Sequence, residues 1–137
     1  MATYNKFNAF VADMPNKVHN LGADTLTIAL TATANAPVAT NSVLANLTQI
    51  AYTNLSARNC TLTSSTQTSG TYKLILADLV LTASGAVAAF QYVVLYNSTA
   101  AGGPLIGWWD NGSSVTLASG QTFTIDFDNT NGVLQIA

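Results

Sequence analysis

Apolar residues alternate with threonine along much of this chain, and a period of two restricts it to β structure. In residues 25–31, Leu26, Ile28 and Leu30 point one way while Thr25, Thr27 and Thr31 point the other, the pattern of a strand with one buried and one wet face. Residues 122–127 repeat it, with Phe123, Ile125 and Phe127 inward. Residues 60–67 read as a strand closed by a turn at Thr68-Ser69-Gly70, and residues 72–82 as a long strand bent near Asp78. Residues 87–96 are the most hydrophobic run and belong at a sheet centre. A tight connection over residues 100–104 leads into a strand at 105–109, and Asp110-Asn111-Gly112 predicts a hairpin. Val115 and Leu117 then lead to a turn at Ser119-Gly120, and Asn131-Gly132 turns the chain into a last strand over 133–136. Residues 43–52 fit either a helical turn through Leu44, Leu47, Ile50 and Ala51 or an extended segment from Leu47. About eight strands at short spacing predict an all-β fold, an antiparallel β-sandwich or jelly-roll-like domain.

The first residues depart from this period. Phe7, Phe10, Val11 and Met14 recur at three- and four-residue spacing, which predicts a helix over residues 4–14, ended by Pro15. A helix this short is not stable alone. Its phenylalanine face must dock, either on the domain's own core or on a neighbouring subunit. With 137 residues the chain supports one domain, divided into a helical segment at 1–17 and a β body at 24–137.

Charge is nearly absent: only 7% of residues are Asp, Glu, Lys or Arg, against roughly 25% in an ordinary domain. The acids are Asp13, Asp24, Asp78, Asp110, Asp126 and Asp128; the bases are Lys6, Lys17, Arg58 and Lys73, with His19 beside them. Four scattered cations cannot drive counterion release, so no nucleic-acid partner is expected. Residues 79–96 carry no charge, but Thr82, Ser84, Gly85 and Gln91 interrupt them and Ser84-Gly85 is a turn signal. Two strands are predicted there, and no membrane span. The start of the chain shows no secretory pattern, so the sequons at Asn46, Asn54, Asn59, Asn97 and Asn111 read as by-products of composition. Cys60 is alone and reads as a small buried hydrophobe.

Candidates for chemistry are few. His19 lies in a loop between helix and first strand, and grouping it with Cys60 and an Asp would be possible in any chain holding one of each. Zinc would need more Cys or His. Asp126, Asp128 and Thr130 open like an oxygen-ligand calcium loop, yet Gly132 falls one place late and Ala137 stands where a glutamate is needed. That segment reads as a strand edge entering an Asn-Gly turn. No catalytic residue, cofactor or metal site is predicted, and the chain is not expected to be an enzyme. Trp108 and Trp109 are adjacent on a strand, so one should face inward and one outward. An outward ring near Asp110 and Asn111 would stack on a sugar, or else lie under a loop or in a subunit interface. The candidate interface residues are Phe7, Phe10, Trp108 and Trp109.

Several blocks resemble a group of small tailed-bacteriophage virion structural proteins. They are Asn5-Lys-Phe-Asn8, His19-Asn-Leu-Gly-Ala-Asp24 running into Leu26-Thr-Ile-Ala-Leu30, Ala36-Pro-Val-Ala-Thr40, Ser69-Gly-Thr-Tyr-Lys73, Tyr92-Val-Val-Leu-Tyr-Asn97 and the stretch from 104 to 136. By analogy with small β-rich phage proteins, the resemblance implies a head decoration, or cement, protein that binds the outer capsid surface and stabilises the shell. Its implied partners are the major capsid protein and further copies of itself, as trimers or dimers; its implied place is the virion head, after synthesis in the host cytoplasm. A tail, collar or fibre component, or a carbohydrate-binding surface module, is the alternative. The resemblance transfers no site residue. A nearly uncharged surface and a positive mean hydropathy suit a protein packed among neighbours.

Overall fold

The structure is a computed structural model that describes residues 2–137. In chain order its elements begin with β1 (Tyr4–Lys6), α1 (Asn8–Asp13), β2 (Leu26–Thr31), β3 (Leu62–Thr68) and β4 (Thr71–Leu76). They continue with β5 (Leu79–Thr82), β6 (Val87–Asn97), β7 (Leu105–Leu117), β8 (Thr122–Ile125) and β9 (Leu134–Ile136). Every pairing is antiparallel, in a four-stranded sheet β1-β7-β6-β2, a three-stranded sheet β3-β4-β9 and a two-stranded sheet β5-β8. The all-β antiparallel architecture expected of the alternation is present, divided over three sheets.

The hydrophobic run at β6 does lie inside the four-stranded sheet, between β2 and β7. Both faces of that sheet are covered. Val93 and Leu95 join Ile28, Leu30 and Ile106 in the larger core, while Val94 and Tyr96 join Phe7, Ala29 and Leu105 in a smaller one on the opposite face. Double cover overturns the wet face expected for β2: Thr27 and Thr31 are buried, not solvated. Residues 32–60 return along that strand, and the Thr27 hydroxyl donates to Asn59 Oδ1 at 3.2 Å and lies 2.9 Å from Ser98 Oγ. The same segment covers the outer edge of β2, through Ile28 N–H to Arg58 O and Ile50 N–H to Leu30 O, both 3.0 Å. Arg58 also donates to the Ile28 carbonyl and lies over the Tyr52 ring, 3.5 Å from its centroid.

The expected helix over 4–14 is shorter. Tyr4 and Asn5 pair with Trp109 and Trp108 as a strand, so the helix covers only Asn8–Asp13. Ladder hydrogen bonds to an existing sheet outweigh the weak propensity of so short a helix. Its phenylalanines dock within the chain, and Val11 is left exposed.

Asp110-Asn111-Gly112 makes no hairpin. Strand β7 runs through it, and the register moves from Tyr92↔Asp110 to Phe90↔Val115, which leaves the intervening residues as an outward bulge. Gly112 has a positive φ of 81°; an Asn-Gly pair serves a bulge as readily as a two-residue turn. A true two-residue turn stands at Ser69-Gly70, with φ of 51° and 84° between β3 and β4. The bend expected near Asp78 is a full break, since β4 and β5 belong to different sheets. Asp78 holds the junction by accepting the Phe127 N–H at 3.0 Å. Within 43–52 both readings survive in part: residues Leu44–Asn46 form a 3-10 turn, and Gln49 bridges to Thr31 in extended form.

Candidate functional site

A second irregularity in β7 sets the positions of the tryptophans. Tyr96 pairs with Leu105 and Leu95 with Gly107, so Ile106 is an extra residue. Beyond it Trp108 falls opposite Val94, on the smaller-core face, and Trp109 opposite Val93, on the larger-core face. One ring was expected inward and one outward; instead both are half-buried. Trp108 packs on Phe7 with centroids 4.5 Å apart. Trp109 lies between Tyr4 at 5.4 Å and Phe127 at 5.9 Å. Phe7 and Phe10 are 0% and 5% exposed, so of the four candidate interface residues only the tryptophans present surface to a partner.

Trp109 forms part of a cleft of about 170 Å³ between β7 and β8. The whole run from Phe123 to Phe127 lines it, and within that run Ile125 and Phe127 are buried. Asn111, in the β7 bulge, Thr124 and Asp126, just past β8, are the polar residues of a lining otherwise made of Ala2, Val93 and aromatic and aliphatic side chains. The cleft continues past Trp109 and Phe127 towards Tyr4 and Asp128. Burial raises the Tyr4 phenol well above its ordinary pKa, which keeps it neutral.

The three nearby carboxylates differ in what they do. The Gln91 side chain and the Gly112 N–H hold Asp110 below the usual carboxylate range. Asp128 is lowered in the same way by the Asn131 N–H, the Asn131 side chain and the Thr130 N–H. Both oxygens of Asp128 are therefore used by the turn, as expected of a strand edge entering an Asn-Gly turn. Gly132, at φ 83°, completes it: a Cβ there would meet the Leu74 carbonyl oxygen at 2.7 Å. Among the described residues no three His, Cys, Asp or Glu side chains gather as a metal site. The Asp126 side chain, by contrast, is exposed and makes no hydrogen bond or ion pair with the described residues.

A buried polar cluster went unread in the sequence. The Asn97 Nδ2 donates to Asp24 Oδ2 at 2.6 Å and to His19 Nδ1 at 3.2 Å, and its Oδ1 accepts from the Thr99 and Ala100 N–H groups. His19 stacks on Phe10 at 5.3 Å, and its Nε2 is 3.8 Å from Asp13 Oδ2. Cys60 is not a hydrogen-bond partner of His19, and burial pushes its thiol up to about 12. It is protonated and unsuited to nucleophilic attack. The only sequence signal for the cluster was the isolated His in a chain so poor in ionisable groups.

Comparison with protein-family models, curated proteins and solved structures finds no match to this chain.

Proposed function

We propose that this protein is a structural component of a tailed-bacteriophage virion, a decoration protein that binds the outer head surface and stabilises the shell. The reading starts from the sequence resemblance. The structural observation that supports it best is the outer edge of β3, a seven-residue strand with no further strand beside it among the described residues. Its side chains are Leu, Thr, Ser and Gln. Monomeric proteins guard such an edge with lysine, proline or a covering loop, as residues 32–60 cover β2. Strand β3 holds no lysine or proline, and beyond the irregularity between Leu62 and Ser64 its edge suits pairing with a strand of the major capsid protein or of a second copy.

A cement protein works by burying surface across capsid subunits, and binding to the assembled state then stabilises it by mass action. That task needs a rigid fold and little repulsion between neighbouring copies. It needs no active site. The test is to heat capsids assembled with and without the protein and to locate it by cryo-EM. Rupture at lower temperature without it, with density on the outer head face, is the expected result. Unchanged rupture, or density confined to the tail, would overturn the assignment.

A further inference from the structure

We infer that the Trp109 cleft binds a neutral pyranose ring, as one residue of a surface polysaccharide. The inference is independent of where on a virion the protein sits. A pyranose has an apolar C–H face and a rim of hydroxyls, each both donor and acceptor, and the cleft offers counterparts to both. The half-buried Trp109 ring and Phe123 supply apolar and π surface, whose electron-rich faces attract C–H groups. Asp126 and Asn111 both line this cleft, one a carboxylate of acceptor oxygens and the other an amide that both donates and accepts.

Both polar side chains are exposed, and neither is fully used by the fold. Asn111 donates one hydrogen bond, to the Ser113 carbonyl at 3.1 Å, which leaves its Oδ1 and a second N–H for a ligand. Asp126 is free of the turn contacts that occupy Asp128. A carboxylate beside an amide is suited to a pair of adjacent hydroxyls. Among the described residues the lining holds no Lys, Arg or His, so Asp126 disfavours anionic sugars. An aliphatic chain would use the apolar surface alone and gain nothing from Asp126 or Asn111. The cleft is small, so a single ring is bound weakly; many copies on one particle would raise the overall avidity.

The test is a ¹H–¹⁵N NMR titration of the full chain with glucose, galactose, mannose and N-acetylglucosamine, with glucose 6-phosphate as charged control. The expected result is shifts in the Trp109 indole and Asn111 side-chain signals with at least one neutral sugar, and affinity about tenfold lower in Asp126→Asn. Trp109→Phe, which keeps an aromatic ring in the core, should weaken binding as well, and thermal melting of each variant checks the fold. No shifts with any neutral sugar would overturn the inference. So would shifts that Asp126→Asn and Asn111→Ala leave unchanged, or tighter binding of the phosphorylated control.

Discussion

The Asn97 side-chain nitrogen lies 3.2 Å from His19 Nδ1, and these residues, 78 apart in sequence, share a pocket closed to solvent. The two backbone N–H groups on Asn97 Oδ1 determine which way the amide points. Nδ1 of His19 is therefore the acceptor, the imidazole is neutral, and its proton sits on Nε2, facing Asp13. Nε2 has no hydrogen-bond partner among the described residues. The cluster ties the segment after α1 to the end of β6.

Burial lowers the His19 pKa, and the nearby Asp13 and Asp24 carboxylates oppose that shift without cancelling it. The unfolded chain titrates near about 6.5, so between that value and the lower folded one it holds more protons than the native state. Stability is full above the unfolded pKa and is lost as pH falls through the folded one. Urea midpoints measured from neutral pH downward should show this loss in the native protein, and His19→Gln should remove that component.

Asn97→Ala should cost about 3 kcal/mol, because it strips partners from buried His19, half-buried Asp24 and Ala100, and the Thr99 N–H at once. Equilibrium urea unfolding measures the loss. Asn97 also heads one of the sequons, and its burial makes it the least suited of them to modification.

Gly107→Ala should destabilise by about 2 kcal/mol through overpacking. A Cβ at this position would lie 2.2 Å from the Tyr4 ring, so Tyr4 must move and β1 loosens from β7. Removing the ring should relieve the clash. The Gly107→Ala, Tyr4→Ala double variant is therefore expected to lose less than the sum of the single losses.

Arg58→Ala should lower stability by about 1 kcal/mol through loss of the contact with Tyr52 and expose the edge of β2. Hydrogen exchange at the Ile28 and Ile50 amides, both bonded across this edge, should quicken. Arg58→Lys should not restore protection, since an ammonium lacks the planar fork that reaches the Ile28 carbonyl while lying on a ring.

Strand positions were legible wherever alternation or a long apolar run marked them, as at β2, β6 and β8. The breaks at Ser84-Gly85 and Asn131-Gly132 were legible from their glycines, though only Gly132 takes a positive φ; Gly85 is needed for close approach to Asn54. The role of Asp110-Asn111-Gly112 was not, because a left-handed glycine is common to hairpins and bulges and the choice depends on what lies opposite. Of the candidate site, Trp109 and Asn111 were visible as an aromatic ring beside a polar group. Asp126 reached the cleft only through the packing of β8 beside β7.

The sequence by itself determined the β class, most strand positions and the lack of charge that sets this surface apart. Each follows from local side-chain chemistry and from the period of the backbone. Only the tertiary structure decided that the four-stranded sheet is covered on both faces, that Tyr4 and Asn5 are strand and not helix, and that His19 is buried with Asn97. Those outcomes depend on segments distant in sequence competing for the same surface. Periodicity reports which side of a strand a residue takes, but not what finally covers that side.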